Sequence, residues 1–182
     1  MRILGLNAYH GDSASCLVAD GELICAIEEE RIRRVKHWAG LPSQSIKWCL
    51  DYAGIDIGQI DHITIARNPS AHLHKKLLRA IAQTTSYEFL KNRFKNAAKV
   101  SDVKSGIAES LGVDESVIKA KIHNIEHHRA HIGSSFLVSP FDEAVSISID
   151  GFGDFVSTMR AVGKGNEVQI MDWVEFPDSL GI

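Results

Sequence analysis

The sequence lacks the features that would place it in a membrane or outside the cell. No apolar run approaches the roughly 20 residues of a membrane-spanning helix. The N-terminal run Ile3-Leu4-Gly5-Leu6 is too short for a signal peptide and has no small-residue cleavage site behind it. The chain has 3 cysteines, an odd number, and they form no CxxC pair, which favours reduced thiols at Cys16, Cys25 and Cys49. We therefore expect a cytoplasmic protein without a membrane partner.

Proline, aromatic residues and net charge are also scarce. The 182 residues include 4 prolines and 7% aromatic residues, and the formal net charge is −3. So small a charge gives no reason to expect nucleic acid or an anionic membrane surface as a partner. What is present, 45% hydrophobic and 24% charged residues, is the composition of an ordinary globular domain with its own core.

The first third of the chain predicts a meander followed by a crossover. Three strands are expected, at residues 2–8, 15–20 and 22–29. The last two are joined by Asp20-Gly21, a two-residue link typical of a β-hairpin. A helical pattern opens at Pro42 and Ser43 and closes at Gly54, and residues 61–66 predict a strand beside the meander. The expected class is α/β, a mixed sheet with an N-terminal antiparallel meander and flanking helices.

The remainder alternates helices and strands. A basic stretch from Ala71 to Lys99 predicts one or two amphipathic helices, either a solvated face or a guide for an anionic substrate. Beyond it we expect a helix over Val103–Leu111, a strand over 117–125, a helix over 126–139, a strand over 143–150, and a hairpin of strands at 155–163 and 166–176.

Three of the nine histidines lie within five positions, in the stretch NIEHHRAHIGSSF. If this stretch is helical, His127 and His131 lie at i and i+4 on one face, a spacing that lets two imidazoles converge on one metal ion. His128 lies close to His131 as well. Two histidines do not complete a metal site, and a carboxylate has to come from elsewhere. The spacing alone leaves both packing and metal binding open.

Two other stretches carry residues suited to phosphate or metal chemistry. In SIDGFGD, Asp150 ends a predicted strand and is followed by Gly151 and Gly153, whose backbone is free to turn beside the carboxylate. An ordinary hairpin with Asx-turn chemistry is the alternative there. The loop NAYHGDSAS lies between the first two strands, where actin-like ATPases and sugar kinases place a phosphate loop.

Taken together, these stretches resemble a known family. The order of meander, His-x-x-x-His helix and strand-Asp-Gly-x-Gly hairpin is similar to the N-terminal domain of the O-carbamoyltransferases that modify nodulation factors, aminoglycosides and cephalosporins. The resemblance covers nearly the whole chain, 1–182, and is most specific in GDSAS…DGEL..AIEEERIRRVKH. It implies an actin/hexokinase/Hsp70-like (ribonuclease H-like) fold, shared with the tRNA threonylcarbamoyl-transfer enzymes.

The resemblance also implies a metal centre. His127 and His131 match the family's metal-binding histidines, and Asp150 is preferred to Asp154 as the carboxylate that faces the metal. A further aspartate ligand of the family lies beyond residue 182, so we expect this chain to be the N-terminal part of a larger protein. His128 and Asp150 are the expected catalytic residues, with His128 contacting the carbamoyl donor or accepting a proton.

The remaining expectations concern ligands. The residues expected to bind phosphate or nucleotide are His10, Gly11, Asp12, Ser13, Gly151, Gly153 and Asp154. The expected cofactors are a divalent metal (Fe, Zn or Mn) and ATP with Mg. The expected partners are carbamoyl phosphate, ATP and a small molecule with an acceptor hydroxyl. Carbamoyl phosphate and ATP would give a carbamoyl adenylate, largely in a second domain, and the carbamoyl group would then pass to the acceptor.

Two rival functions remain open at this point. One is a fragment of an actin-fold ATPase or kinase without carbamoyl chemistry, which would use the loop at Gly11 to Ser13 and would not need the histidine pair. The other is a non-catalytic binding module that can form a homodimer. Whether the chain belongs to a carbamoyltransferase or to one of these rivals, we expect it to show no carbamoyl transfer on its own and to self-associate.

Overall fold

The structure, a computed structural model of the chain, describes residues 1–72 and 102–181. The basic stretch predicted over 71–99 therefore lies almost wholly outside the described residues. The chain forms two compact units. The first comprises residues 1–66 and 85–124, and the second comprises residues 67–84 and 125–182. None of the described helices is long and apolar enough to cross a membrane.

The first unit is built on a five-stranded mixed sheet. Its strands are β1 (Arg2–Asn7), β2 (Ala14–Ala19), β3 (Glu22–Glu28), β4 (His62–Ile65) and β5 (Lys121–Asn124), in the order β3-β2-β1-β4-β5. The strands β1, β2 and β3 form the antiparallel meander, and β4 and β5 add in parallel on the free side of β1. Asp20 and Gly21 both have positive φ angles, 52° and 90°, as the tightest hairpin turns require. The predicted meander, the neighbouring strand and the α/β class are confirmed.

Among the described residues, three α-helices accompany this sheet: α1 (Glu29–Arg33), α2 (Ser43–Ala53) and α3 (Val103–Leu111). The last two were predicted, and each ends at a glycine in the left-handed conformation, Gly54 or Gly112, which stops a helix without steric cost. Helix α1 was not predicted: the strand expected over 22–29 ended on its first residue, Glu29, and no helix was assigned to the residues that follow.

The strand predicted over residues 117–125 was too long. Residues Glu115–Val117 form a 3-10 turn, and β5 begins only at Lys121. The Asp114 side chain accepts a hydrogen bond from the Ser116 amide at 2.8 Å, a local bond that competes with strand pairing. The apolar run that suggested a strand is therefore shared between a turn and a short strand.

The core of the first unit follows the periodicities of its elements. Alternate residues of β1 and β4, Leu4 and Leu6 with Ile63 and Ile65, are buried on one face of the sheet. Helix α2 contributes Ile46, Cys49 and Leu50, and α3 contributes Ile107. Burial at every second strand residue and every third or fourth helix residue is the pattern of a helix layer packed on a sheet.

Glu29 is a wholly buried carboxylate that joins the start of α1 to the start of α2. It accepts hydrogen bonds from the amides of Gln44 at 3.1 Å and Ser45 at 2.7 Å, and from Arg33 Nε at 2.6 Å. Burial alone would raise the pKa of Glu29, but the bonds from Ser45 and Arg33 hold that pKa below its usual value. Arg33 is held in turn by Ser43 Oγ and by the Trp38 ring, 4.3 Å from its guanidinium.

The three cysteines are free, as predicted. Cys25 and Cys49 are buried, and burial is the main cause that raises the pKa of Cys49 to about 12. Cys16 is partly buried, and its pKa is raised, again mainly by burial. The thiolate is the reactive form of cysteine, so Cys16 and Cys49 are expected to react slowly in the folded chain, and the burial of Cys25 keeps reagents away from its thiol.

Thiol titration tests this arrangement. At pH 8 the native chain should react with a thiol reagent far more slowly than the denatured chain, and denaturation without reductant should release three thiols. Fewer than two free thiols after denaturation would contradict the structure, because it would require a disulfide. A fast stoichiometric reaction of all three in the native state would contradict their burial.

The second unit contains one described helix, α4 (His127–Phe136), and a three-stranded antiparallel sheet. The strands are β6 (Glu143–Gly153), β7 (Val156–Lys164) and β8 (Glu167–Glu175), paired in that order. The predicted final hairpin is confirmed, with its turn at residues 165 and 166. The prediction that β6 ends at Asp150 was wrong, because the strand continues to Gly153 with a shift of register between Ile149 and Gly153.

Helix α4 covers one face of this sheet. Ile132 packs with Val156, Met159 and Ala161 in a small buried cluster. A Cβ atom on Gly163 would overlap the Phe136 ring, so a glycine is needed at that point for the close approach of helix and strand.

The other face of β6 exposes apolar side chains. Val145, Ile147 and Ile149 are 70%, 59% and 54% exposed, and β6 is an edge strand of its sheet. Exposed apolar edge strands favour pairing with further chains. We therefore expect the isolated chain to self-associate and Ile147→Lys to reduce that association. Light scattering at increasing concentration tests this, and a wild-type chain that stays monomeric at high concentration would contradict it.

Candidate metal centre

The start of α4 is fixed by the residue that precedes it. Glu126 lies at the N-cap, and its carboxylate accepts hydrogen bonds from the amides of His128 at 3.0 Å and Arg129 at 2.9 Å. A carboxylate at this position satisfies amides that have no partner within the helix and complements the positive helix end. The helix therefore begins at His127, and His131 follows one turn later on the same face. The predicted helix over 126–139 was longer than the observed one.

The two imidazoles converge on a carboxylate from β6. His127 Nε2 lies 2.8 Å from Asp150 Oδ2 and 3.0 Å from His131 Nε2, and His131 Nε2 lies 3.8 Å from the same carboxylate oxygen. His127 and Asp150 are partly buried, whereas His131 is exposed. The group therefore has one open side that a ligand can reach.

These distances fit the coordination shell of a transition metal. Ligand atoms bonded to Zn²⁺ at about 2.0–2.2 Å in tetrahedral geometry lie about 3.4 Å apart. The three observed separations, 2.8, 3.0 and 3.8 Å, lie on either side of that value. Two imidazoles and one carboxylate suit Fe(II), Zn(II) or Mn(II), and they leave further coordination positions open. The donor set thus fits the divalent metal that the sequence suggested.

The charges of the group are also arranged for a cation. The hydrogen bond with His127 is the main cause that lowers the pKa of Asp150, and the bond from the Gly151 amide acts in the same direction. Burial, followed by repulsion from His127, lowers the pKa of His131. A carboxylate that stays ionised and an imidazole that stays neutral are the forms that bind metals.

Gly153 and Asp154 hold His127 in place. A Cβ atom on Gly153 would overlap the His127 ring, so only glycine gives the imidazole room at that point. Asp154 Oδ2 accepts hydrogen bonds from the amides of His127 at 3.1 Å and Asn68 at 2.6 Å. Both residues were predicted to face phosphate or nucleotide. In the structure they contact His127, and the Gly151 amide donates to Asp150 Oδ1 at 2.6 Å.

His128 lies in the core rather than at the surface of the site. Its side chain is wholly buried, with Nδ1 2.8 Å from Ser148 Oγ and Nε2 2.9 Å from the Val156 carbonyl oxygen. Burial lowers the pKa of this imidazole. The predicted role of His128 in contacting substrate is disfavoured by this geometry, because both ring nitrogens already have protein partners. Its contacts instead tie α4 to β6 and β7.

The predicted phosphate loop belongs to the first unit. Ser13 is wholly buried, and its hydroxyl bonds the carbonyl oxygens of His10 at 3.1 Å and Gly40 at 2.9 Å. Asn7 Nδ2 donates to the carbonyl oxygens of Gly11 and Asp12 at 3.3 and 3.0 Å. Ser13 thus joins two loops, whereas the side chains of His10 and Asp12 are exposed at the surface of that unit.

Sequence reasoning missed the residues that surround Asp12. The Asp12 carboxylate lies 2.8 Å from His37 Nδ1, and Glu30 accepts a hydrogen bond from the His37 amide at 3.0 Å. The three side chains offer ligand atoms within 4.8 Å of one another. His37 lies well beyond the loop, in the run RRVKH, and the unpredicted helix α1 is what brings Glu30 and His37 together.

Fold and site together define a class: an α/β chain that brings two histidines from the start of a helix against one carboxylate, a group that could hold a metal ion. The family model for the N-terminus of carbamoyltransferases matches residues 2–182. The chain belongs to this family, which confirms the resemblance seen in the sequence.

The chain is also similar to two longer proteins and to one solved structure. The chain is 35% identical over 176 residues to the nodulation protein NolNO of Sinorhizobium fredii, covering 97% of this chain and 25% of that protein. It is 33% identical over 190 residues to the uncharacterized protein sll1178 of Synechocystis, covering 99% of this chain and 30% of that protein. The chain thus spans about a quarter to a third of the length of these relatives. Among solved structures, YeaZ from Pseudomonas aeruginosa is similar, with a TM-score of 0.49 and 12% identity, covering 97% of this chain and 69% of that one.

Proposed function

We propose that this chain is the N-terminal part of an ATP-dependent O-carbamoyltransferase, and that His127, His131 and Asp150 hold its catalytic divalent metal. The observation that carries the proposal is the convergence of two imidazoles and one ionised carboxylate within 3.8 Å of one another. Membership of the carbamoyltransferase family supports it. The donor would be carbamoyl phosphate, activated with ATP and Mg as a carbamoyl adenylate, and the acceptor a hydroxyl of a small molecule.

The transfer step exchanges the mixed carbamic–phosphoric anhydride bond of the adenylate for the ester bond of a carbamate. The acceptor oxygen bonds to the carbamoyl carbon, the bond from that carbon to the adenylate phosphate oxygen breaks, and AMP leaves with the bond's electron pair. When bound, the metal would polarise the carbamoyl carbonyl and neutralise charge on the departing phosphate. The exposed side of His131 leaves room for the reacting group beside the ligands.

The acceptor hydroxyl must lose a proton in this step. His128 is poorly placed to take it, because its ring is buried and bonded at both nitrogens. Asp150 is part of the metal centre, and its pKa is lowered chiefly by its bond with His127, which makes it a weak base. We therefore assign His127, His131 and Asp150 to metal binding and give His128 a supporting role in the core.

The rival ATPase or kinase function is less well supported. It would rely on the loop around Gly11 to Ser13, and the Ser13 hydroxyl is buried and bonded to main-chain carbonyl groups. It would also not account for the convergence of His127, His131 and Asp150. The binding-module alternative shares that second difficulty.

A chimera tests the proposal. Residues of this chain would replace the aligned quarter of the Sinorhizobium protein, and transfer of radiolabelled carbamoyl from carbamoyl phosphate to sugar hydroxyls would be measured with and without ATP. We expect ATP-dependent transfer that is lost in His127→Ala/His131→Ala and kept in His62→Ala/His123→Ala. Transfer that survives loss of the first pair, or ATP hydrolysis that is independent of carbamoyl phosphate, would contradict the proposal. The isolated chain should show no transfer.

A further inference from the structure

The residues that follow β8 return to the carboxylate of the metal centre. This return segment, residues 176–181, bonds to the second unit at three points. The Phe176 amide donates to the Phe155 carbonyl oxygen at 3.1 Å, and Ser157 Oγ donates to the Asp178 carbonyl oxygen at 2.5 Å. The third point is Ser179, which lies directly against Asp150.

The Ser179 hydroxyl bridges the peptide group that carries the carboxylate. Ser179 Oγ donates to the carbonyl oxygens of Asp150 and Gly151, both at 3.1 Å, and it accepts a hydrogen bond from the Gly181 amide at 3.0 Å. One hydroxyl therefore bonds two successive carbonyl groups, that of the Asp150–Gly151 peptide and that of the peptide after Gly151. The orientation of the Ser179 hydroxyl is set by the Gly181 amide, two residues further along the chain.

Gly181 completes the contact. A Cβ atom built on Gly181 would overlap the Asp150 carbonyl group and would lie 2.9 Å from the Gly151 nitrogen. The two backbones are therefore in direct contact, and a side chain at position 181 would have to push Asp150 away. Contacts this close to a backbone are ones that only glycine allows.

Asp150 needs such support because the sheet does not supply it. The register between β6 and β7 shifts between Ile149 and Gly153, and residues 150–152 have no registered partner on β7. The Asp150 side chain is held at Oδ1 by the Gly151 amide at 2.6 Å, a bond whose geometry depends on the same peptide group that Ser179 bridges. Where the ladder is interrupted, another anchor has to fix the carboxylate.

We propose that Ser179, backed by Gly181, is the positioning residue of the metal centre: it fixes the Asp150–Gly151 peptide and so aims the Asp150 carboxylate at His127 and His131. The inference rests on the proposed metal centre and extends it to residues that touch no metal ligand atom. Groups that orient a metal ligand affect metal affinity about 10–100-fold when they are removed.

The test compares two serines of the same unit. Zn(II) and Mn(II) are titrated into wild type, Ser179→Ala, Ser179→Thr and Ser157→Ala, and heat is followed. We expect Ser179→Ala to weaken binding about 10-fold. Ser179→Thr retains the hydroxyl and should bind nearly as wild type does. Ser157→Ala removes the hydroxyl that holds the same segment at Asp178, and it should change affinity no more than about twofold, well below the roughly 10-fold lower limit for groups that orient a metal ligand.

A second readout needs no metal. Hydrogen exchange of the Gly151 amide, followed in the metal-free chain, should be faster in Ser179→Ala than in wild type and unchanged in Ser157→Ala.

A glycine pair gives an independent check. Gly181→Ala should weaken metal binding, whereas a Cβ at Gly133 in α4 would meet only the tip of Leu137 at 4.0 Å, so Gly133→Ala should not.

The outcomes separate the two proposals. If the wild-type chain binds no metal, the proposed metal centre is overturned. Hydrogen exchange of the Gly151 amide then still tests whether Ser179 fixes the Asp150–Gly151 peptide. Wild-type binding with equal affinity and equal exchange in Ser179→Ala would overturn the positioning role. Equal weakening in Ser157→Ala and Ser179→Ala would also overturn it, because the effect would then belong to the whole segment.

Discussion

Replacing both His127 and His131 by alanine is expected to weaken Zn(II) or Mn(II) binding at least about 100-fold, the upper limit seen when groups that merely orient ligands are lost. The reason is direct: two of the three ligand groups would be gone, leaving a lone partly exposed carboxylate, Asp150. Titration calorimetry of wild type and variant gives both affinities. Even wild-type binding should be weak, because three protein ligands leave further coordination positions of the metal open.

The first unit offers a matched control. His62 and His123 lie on neighbouring strands with Nδ1 and Nε2 2.9 Å apart, almost the separation of the pair in α4. In the described part of the chain they are joined by no third group that places a ligand atom within reach. His62→Ala/His123→Ala should therefore bind metal as wild type does. Equal affinity in wild type and His127→Ala/His131→Ala would return these histidines to a packing role.

The affinity should also depend on pH. Protonated imidazole cannot bind a metal, so affinity is expected to fall as the pH drops below about 6.5. Burial lowers the pKa of His131, which keeps this ligand neutral further into the acid range than an ordinary histidine. Calorimetric titrations at several pH values test this, and an affinity that is constant from pH 7.5 to pH 5.5 would contradict imidazole ligation.

Glu29→Gln should lower the free energy of unfolding of the first unit by about 3 kcal/mol, because removing one partner of a buried ion pair leaves the other charge uncompensated. Glu29 is wholly buried, and Arg33, at 25% side-chain exposure, would lose its carboxylate. The amides of Gln44 and Ser45 would keep at most one good acceptor. Denaturant unfolding followed by fluorescence of Trp38 and Trp48 measures the loss, with exposed Glu22→Gln as the control.

The pH dependence of this effect has a definite sign. The pKa of Glu29 is lower in the fold than the value of about 4.3 for an unfolded chain. Its stabilising contribution is therefore present above that value and is lost as the pH falls through the lower folded pKa. The stability difference between wild type and Glu29→Gln should narrow below about pH 4. A difference that stays constant down to pH 2.5 would show that the charge of Glu29 is not its source.

The sequence was most informative where one physical rule dominates. Asp20-Gly21 predicted its hairpin because few other pairs adopt two positive φ angles. Gly54 predicted the end of α2 for a similar reason. The i, i+4 spacing of His127 and His131 is by itself enough to place both imidazoles on one helix face.

Long-range contacts set the limit of such reasoning. Nothing local in EEERIR shows that Glu29 is buried against the start of α2, since its partners Gln44 and Ser45 lie 15 and 16 residues away. The burial of His128 depends on Ser148 and Val156, which are 20 and 28 residues distant. The extension of β6 past Asp150 likewise depends on its pairing with β7. The glycines of SIDGFGD are typical of a turn, so the sequence alone does not reveal that pairing.

The central claim is that a divalent metal is held at His127, His131 and Asp150, and paramagnetic broadening tests it most directly. Histidine ring signals would be recorded in a chain with 15N-labelled histidine while substoichiometric Mn(II) is added. The account predicts that the signals of His127 and His131 broaden first, with those of His62 and His123 unchanged at the same ratio, and that Asp150→Asn reduces the effect. Uniform broadening of all histidines, or none at His127 and His131, would contradict it.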